Sequence, residues 1–174
     1  SNDVVACISK VTHQIVQEVS PDVESCYLPH AVNENFFHPA KTEEEKAAAL
    51  NLRERVTQGK GKKIFFWNNR NARRKQSGTL IWWFKEWLDK VGHDKAMLLM
   101  HTDPKDPHGQ DLPHIIEHLG LSNGQVLLST AKINAQELAS LYRMADWTIN
   151  ISDAEGFGLA TLESLSCGTP IIVN

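Results

Sequence analysis

The sequence of 174 residues has little cysteine, no long apolar run and no strong bias of charge. Three cysteines without a Cys-x-x-Cys pair fit a reducing compartment better than a disulfide framework. No run approaches the roughly 18 apolar residues of a membrane span, and the start SNDVVACISK lacks the layout of a signal peptide. A formal charge of −3 gives the whole chain no preference for nucleic acid, so any anion site must be local. We expect a cytoplasmic protein, and we leave open a peripheral contact with the cytoplasmic membrane face.

Apolar runs of strand length alternate along the chain with longer segments of helical period. Seven runs predict strands, at residues 4–9, 25–29, 63–68, 96–101, 125–130, 147–152 and 170–174. Six segments predict helices, at about 10–19, 43–57, 77–91, 111–119, 134–145 and 158–167. Short, nearly continuous apolar strands separated by helices are typical of a parallel sheet covered on both faces. We therefore predict an α/β fold with a Rossmann-like, doubly wound parallel sheet.

The helix predicted at 77–91 carries its apolar side chains on one face and stops at Gly92. This face consists of Leu80, Ile81, Phe84, Trp87, Leu88 and Val91. The polar connection 30–43 is predicted to be a linker or hinge. The chain opens on one predicted strand and stops on another, PIIVN, so we expect it to be part of a larger protein, truncated at both ends.

The stretch EGFGLATLE (155–163) follows a predicted strand and opens the last predicted helix. Ligands of doubly wound sheets collect at such places. Its two glycines let the backbone approach a ligand, and free N–H groups of a first helical turn attract phosphate. Glu155 and Glu163 should lie about 10–12 Å apart, which suits a sugar and a nucleotide laid end to end. A plain strand-to-helix turn is the alternative.

A second cluster, NRNARRK (69–75), places four cations in six residues after a predicted strand. Guanidinium groups bind phosphate oxygens in pairs, so the cluster predicts a diphosphate site. A solvated basic turn is one alternative. Nucleic-acid binding is another, since Trp67, Trp82 and Trp83 are near in sequence, but Trp82 and Trp83 fall on a helix that is mostly core.

With these motifs, the sequence resembles the retaining glycosyltransferases of the glycogen-synthase and sucrose-synthase-like group (glycosyl transferases group 1). The resemblance is to the C-terminal, donor-binding half of their GT-B fold, and it covers nearly the whole chain. The matching stretches are VVACISKVTHQIVQEV, CYLPHAVNENFFHP, FFWNNRNARRK and ELASLYRMADWTINISDAEGFGLATLESLSCGTPIIV. The last contains the Glu-x7-Glu motif. The resemblance implies that residues 1–29 are the end of an N-terminal domain and its linker, and that 30–174 form the donor domain, incomplete at its C-terminus.

The resemblance also implies roles for individual residues. Arg70 and Lys75 would hold the donor diphosphate, Glu155 would contact the transferred sugar, and Glu163 would bind the ribose hydroxyls. The loop facing sugar and phosphates would be Gly156, Phe157, Gly158 and Leu159. Base recognition would fall between Thr130 and Ile133 and around Met100 to Thr102.

Some positions depart from the family pattern. Ala31 stands for a glycine and Asn33 for an acid in the hinge, and Asn69 stands for a glycine before the basic cluster. The family's N-terminal half, which carries the acceptor site, has no counterpart in the sequence.

Several reactive or metal-binding residue types outside NRNARRK and EGFGLATLE are predicted to have structural roles only. A His/Asp-rich stretch lies between His101 and His118, but HIIEH is not the His-Glu-x-x-His zinc pattern, and we predict no metal site. Tyr142 and Met144 are predicted to be core residues rather than ligand contacts. Cys167 is predicted to be a buried, small apolar residue rather than a nucleophile.

The resemblance thus implies a retaining hexosyltransferase that forms part of a two-domain protein. Its donor would be a nucleoside-diphosphate sugar and its acceptor a glycan, a lipid or a small molecule. It would need neither cofactor nor metal and have no nucleic-acid partner, and these residues alone would be inactive. The alternatives are a nucleotide-sugar epimerase of the same architecture and a non-catalytic nucleotide-sugar binding module.

Overall fold

The structure is a computed structural model that describes residues 3–174. Its seven strands are β1 (Val5–Cys7), β2 (Ser25–Tyr27), β3 (Lys63–Asn68), β4 (Ala96–His101), β5 (Val126–Ser129), β6 (Trp147–Asn150) and β7 (Ile171–Val173). Its six α-helices are α1 (Lys10–Val19), α2 (Glu43–Thr57), α3 (Ser77–Val91), α4 (Leu112–His118), α5 (Ala135–Met144) and α6 (Leu159–Ser166). A short 3₁₀ helix spans Arg73–Lys75. Each predicted element is confirmed, with ends that differ by at most two residues.

Five strands form one parallel sheet in the order β5-β4-β3-β6-β7. The order reverses direction at β3, where the chain leaves one edge of the sheet and returns to build the other. Parallel neighbours need crossover connections, and helices supply them here. The predicted doubly wound parallel sheet is therefore confirmed.

Alternate residues of the central strands bury into two different apolar clusters, as the two-residue period of a strand requires. One cluster joins Trp67, Leu98 and Met100 to helices α3 and α4. The other joins Phe66, Leu99 and their neighbours to α5 and α2. The sheet is thus covered on both faces, which explains why its strands are apolar almost throughout.

Helices α2 and α5 begin with the same device. Thr42 and Asn134 each accept a hydrogen bond from the backbone of the third helical residue, whose glutamate side chain bonds back to the cap. Such capping boxes satisfy backbone donors that the helix itself leaves free. They fix where each helix starts, and therefore where the loop before it ends.

Helix α3 is mostly core, but not at every predicted position. Trp87 is 39% exposed and borders an open apolar groove with Trp147 and Ile172. Val91 is 40% exposed because it is the last residue of the helix. Trp82 and Trp83 are 52% and 56% exposed, so neither is a core residue, and Trp83 lines the same apolar groove.

Strands β1 and β2 form a separate two-stranded parallel sheet. The connection 30–43 that follows packs against α5. Phe37 is buried against Tyr142, and the Arg143 guanidinium donates to the carbonyl oxygens of Phe36 and His38, each at 2.8 Å. The predicted hinge is therefore anchored to α5 along its second half. The predicted domain division at residues 29 and 30 stays a prediction.

No helix among residues 3–174 combines the length and the apolar content that a membrane crossing requires.

Candidate functional site at the carboxyl edge of the sheet

The carboxyl ends of the central strands meet at one edge of the sheet. Asn68 of β3 pairs with His101 of β4, which pairs with Ser129 of β5, and β6 ends beside them at Asn150. The loop carrying NRNARRK and the loop opening EGFGLATLE both leave from this edge. The sheet therefore brings together the two clusters that the sequence singled out.

Helix α6 begins at a position whose backbone conformation favours glycine. Gly158 is the N-cap and has a φ of 83°, in the left-handed region, with no side-chain cap on the helix. Glycine adopts this conformation without the cost that a Cβ imposes. A pocket of about 360 Å³ lies here, lined by residues that include Asn150, Glu155, Phe157 and Gly158. The open first turn of α6 presents backbone N–H groups that suit an anion.

The other predicted loop residues surround this helix start. Gly156 is exposed and has open space where a Cβ would be. The ring of Phe157 lies 5.1 Å from that of His30, edge to face. Leu159 is the first residue of α6 and is 40% exposed. The start of the predicted hinge thus contacts the glycine loop.

Glu155 lies at the centre of a charged cluster. Its Oε1 accepts hydrogen bonds from Lys75 Nζ at 2.5 Å and from Asn150 Nδ2 at 3.0 Å. Its Oε2 lies 3.4 Å from Nη1 of Arg74, which also donates to the carbonyl oxygen of Ala154. The Lys75 side chain is only 8% exposed, whereas that of Arg74 is 52% exposed. Lys75 is thus the buried partner of Glu155.

These contacts decide the charge of Glu155. Partial burial raises its pKa, but hydrogen bonds from Lys75, Asn150 and Ser152 lower it further, to about 2. Donors that bond to the ionised form of a carboxyl favour that form. Glu155 is therefore a carboxylate at any physiological pH.

Glu163 lies within α6, in different surroundings. Its Oε2 accepts a hydrogen bond from the Tyr142 hydroxyl at 2.7 Å, and that hydroxyl accepts one from Asn68 Nδ2 at 2.9 Å. Burial raises the pKa of Glu163, and the hydrogen bond from Tyr142 offsets part of that rise. Tyr142 itself is fully buried, and burial next to Glu163 raises its pKa, so it stays a neutral donor. The prediction that Tyr142 is a core residue is confirmed, and its hydroxyl also holds Glu163.

Three of the four cations of NRNARRK form ion pairs, and these point in two directions. Arg74 and Lys75 reach Glu155. Arg70 instead binds Asp106 through Nε at 2.7 Å and Nη2 at 3.2 Å, and its Nη2 lies 2.9 Å from Nδ1 of His108. The structure therefore places Lys75 beside Glu155 but directs Arg70 to the loop after β4.

The positions expected to read the base are partly core. Met100 is fully buried, so its side chain is closed to a ligand, whereas Ile133 is partly buried and packs against the cluster that contains Tyr142. Thr130 is exposed after β5. His101 Nδ1 lies 2.9 Å from the Ser129 hydroxyl, and burial lowers the pKa of His101. A base at this edge would thus meet Thr130, a neutral His101 and the backbone.

The remaining residues that the sequence singled out are Cys167 and the histidines of α4. Cys167 is 4% exposed, and burial raises the pKa of its thiol to about 11, as expected for a core residue. The rings of His114 and His118 stack 6.3 Å apart. Within residues 3–174, no group of three or more His, Cys, Asp or Glu side chains is close enough to hold a metal ion.

Sequence reasoning missed the side chains that hold the predicted ones. Asn68, Tyr142 and Asn150 were not assigned to the site, because a hydrogen-bond partner distant in sequence leaves no local pattern. Asp106 and His108 belong to the His/Asp-rich stretch that the sequence offered only as a weak metal candidate. Their clustering indicated a binding function, but the group that they contact is the Arg70 guanidinium rather than a metal ion.

Comparison with known proteins agrees with this architecture. The sequence model of a family described as "Glycosyl transferases group 1" matches residues 48–174. The "Alpha-monoglucosyldiacylglycerol synthase" of Streptococcus pneumoniae (strain ATCC BAA-255 / R6) is 26% identical over 172 residues, which is 99% of this chain and 37% of that protein. The chain thus spans just over a third of that relative.

Solved structures show the same fold. Sucrose-phosphate synthase from Thermosynechococcus elongatus superposes with a TM-score of 0.73 at 24% identity, covering 99% of this chain and 41% of that one. The C-terminal domain of a glycosyl transferase group 1 family protein from Francisella tularensis gives a TM-score of 0.58 at 20% identity, covering 82% of this chain and 70% of that one. The predicted fold, the Rossmann-like half of a GT-B protein, is confirmed.

Proposed function

Because the chain belongs to the glycosyl transferases group 1 family, we propose that it binds a nucleoside-diphosphate sugar and transfers the sugar with retention of configuration. The observation that carries the proposal is the cluster at the start of α6. There an ionised Glu155 and the N-terminus of a helix line one pocket, and the buried Lys75 bonds to Glu155. A carboxylate suits sugar hydroxyls, and a cation beside free N–H groups suits phosphate.

The diphosphate is the leaving group in this reaction, so negative charge grows on it as the sugar departs. Lys75, Arg70 and the first N–H groups of α6 would meet that charge, which is how fixed donors lower a barrier. Two cations and a helix start can do this without a metal ion. We therefore propose metal-independent transfer.

Each glutamate would bind a different part of the donor. Glu155 would hold hydroxyls of the transferred sugar, close to the reacting carbon. Glu163, within α6, would accept hydrogen bonds from the ribose hydroxyls. Thr130 and the backbone around residues 130–133 would meet the base.

The acceptor would be bound by a second domain. The relative from Streptococcus pneumoniae is longer than the matched region, which is 37% of its length, so a larger two-domain enzyme is consistent with the comparisons. Its name contains a lipid product, which makes a lipid one acceptor class besides glycans and small molecules.

We also propose a cytoplasmic location, which is supported by the finding that all three cysteines are free.

Calorimetry tests the donor site. Uridine, guanosine and adenosine diphosphates are titrated into the intact protein at low and at moderate salt. We expect one of them to bind, with affinity that falls as salt rises because exposed charges are screened. Lys75→Ala should weaken the binding, whereas Lys60→Ala, a matched change remote from the site, should not. Absence of binding to all three at millimolar concentration would contradict the proposal.

A further inference from the structure

The loop between β4 and α4 (residues 102–111) is fastened to the basic loop (residues 69–76) through buried contacts. Asn71 is fully buried, and its Nδ2 donates to the carbonyl oxygens of Pro104 at 3.3 Å and Gln110 at 2.7 Å. A Cβ on Gly109 would overlap with Asn71, so the two loops approach as closely as glycine allows. They form one packed unit, and a change in one is felt by the other.

Asp106 occupies a fixed place in this unit. Its Oδ1 accepts a hydrogen bond from the backbone N–H of His108 at 2.9 Å, and its side chain is only 10% exposed. Arg70, in contrast, has a side chain that is 62% exposed. The carboxylate is therefore the anchored partner, and the long arginine side chain takes its direction from it.

The geometry of the pair leaves part of the guanidinium free. Asp106 binds the Nε and Nη2 side, and His108 also lies against Nη2. A guanidinium has five N–H donors, and Nη1 has no hydrogen-bond partner in the part of the chain that the structure describes. Its two N–H groups are therefore available to an anion at the sheet edge.

We propose that Asp106 is a positioning residue, which orients Arg70 so that the free Nη1 group binds a phosphate oxygen of the donor's diphosphate. The inference rests on the proposed function, since it presumes a diphosphate at this edge. The ion pair also holds the pKa of Asp106 well below its usual range, first through the hydrogen bond from Arg70. Asp106 therefore stays ionised, and its hold on Arg70 persists across the physiological pH range.

The opposite mechanism is a latch, in which Asp106 competes with phosphate for Arg70. A latch predicts that loss of the carboxylate tightens diphosphate binding, because Arg70 is released to the ligand. Positioning predicts weaker binding, because a free arginine must lose side-chain entropy to bind. The sign of the effect separates the two.

The experiment is a double-mutant cycle read by calorimetry on the intact protein, with the diphosphate among UDP, GDP and ADP that binds most tightly. Asp106→Asn is measured alone and together with Arg70→Lys, which cannot be held through two N–H groups. Asp103→Asn is the matched control, since Asp103 lies in the same loop but accepts a hydrogen bond from the backbone N–H of Lys105.

We expect Asp106→Asn to weaken diphosphate binding about fivefold to tenfold, the scale of a lost ion-pair contact, and Asp103→Asn to change it less than about twofold. In the Arg70→Lys background, Asp106→Asn should have no further effect. Tighter or unchanged binding by Asp106→Asn would overturn the inference, and so would equal effects in both backgrounds. A purely structural role would lower the melting temperature without this coupling.

Two further results keep the outcomes separate. If Asp106→Asn does not fold, Asp106→Glu takes its place, because its carboxylate lies one methylene away from the position that Arg70 needs. The same weakening is expected, and unchanged affinity overturns the inference. If the unaltered protein binds none of the three diphosphates, the proposed function fails first. If it binds and only Lys75→Ala weakens it, the role of Asp106 alone fails.

Discussion

Of the two glutamates of EGFGLATLE, Glu155 precedes helix α6 and Glu163 lies within it, and their electrostatic surroundings are opposite. Glu155 is bonded by Lys75 and Asn150 with Arg74 close by, and its pKa is lowered to about 2 despite partial burial. Glu163 is more buried and has a neutral Tyr142 hydroxyl as its partner. Burial raises its pKa. The ionised form is thus stabilised at Glu155, before the helix, and disfavoured by burial at Glu163, within it.

The difference suggests how the fold divides its work. Lys75 and Arg74 lie beside Glu155, just before α6, so charge that develops there in the proposed reaction would meet partners already in place. At Glu163 the partner is a single neutral donor that fixes the direction of the carboxylate, which is what recognition of hydroxyl groups requires. The first site suits chemistry and the second suits binding. Four expected effects test that contrast.

The largest effect is expected from Glu155→Gln. This change keeps the shape of the side chain and removes the charge that would face the sugar, so turnover in the intact protein should fall about 100-fold, the scale of one lost transition-state contact. Affinity for the nucleoside diphosphate should change little, because the sugar is absent from that ligand. Steady-state kinetics and calorimetry measure the two quantities separately.

Turnover that stays within about threefold of the unaltered protein would remove Glu155 from the reaction, since a loss that small is below 1 kcal/mol. A loss of diphosphate affinity equal to the loss of turnover would instead show that Glu155 acts on binding. Either result would end the contrast between the two glutamates.

The second effect compares two neighbouring cations. Lys75→Met should weaken diphosphate binding about 10-fold to 100-fold, because a charge-assisted hydrogen bond from a desolvated donor contributes about 1.5–3 kcal/mol. Arg74→Met is the matched control on the same 3₁₀ helix. Its side chain is 52% exposed, and exposed ion pairs contribute about 0–1 kcal/mol. Equal losses in both variants would contradict the central place given to Lys75.

The sequence predicts these loops well because they depend on local pattern. Apolar strands, helix periods and Gly158 are visible in the letters, and the sheet edge then brings NRNARRK and EGFGLATLE together. The direction of each cation is not visible. Arg70 and Lys75 were expected to act together, yet one points to Asp106 and the other to Glu155, because the partners come from loops distant in the chain.

Helical periodicity predicts which face of a helix is apolar, but not how deeply each residue of that face is buried. Trp87 was expected on the buried face of α3, but it borders an open groove, because the helix packs on the sheet along a narrower stripe. The link between Tyr142 and Glu163 was also out of reach. It joins two helices across the crossover to β6, and no spacing rule connects residues that meet only through tertiary packing.

The third effect is expected at the binding end. Glu163→Gln should weaken diphosphate binding by about 1–2 kcal/mol, because a neutral amide accepts hydrogen bonds from ribose hydroxyls less strongly than a carboxylate does. Turnover at saturating donor should change less than about twofold, since the contact is equal before and during reaction. Glu117→Gln on the exposed face of α4 is the control. A loss of turnover without a loss of affinity would reverse the assignment.

The smallest effect is on stability, and its sign should differ between the two glutamine variants. A group whose pKa is lowered on folding stabilises the fold above its unfolded pKa and loses that contribution as pH falls through the folded value. Glu155 is such a group, so Glu155→Gln should lower the free energy of unfolding at pH 7 by about 1–2 kcal/mol, and the deficit should shrink toward pH 2.

Glu163 has a raised pKa, so its ionised form costs stability at pH 7, and Glu163→Gln should add a few tenths of a kcal/mol to the free energy of unfolding. That gain should disappear as pH falls below the raised pKa of Glu163, where the unaltered side chain becomes neutral. Urea unfolding of both variants at pH 7, pH 5 and pH 3 measures these differences. If both variants are destabilised equally at pH 7, the two carboxylates share one kind of environment, and the contrast between a charged site before α6 and a neutral site within it is wrong.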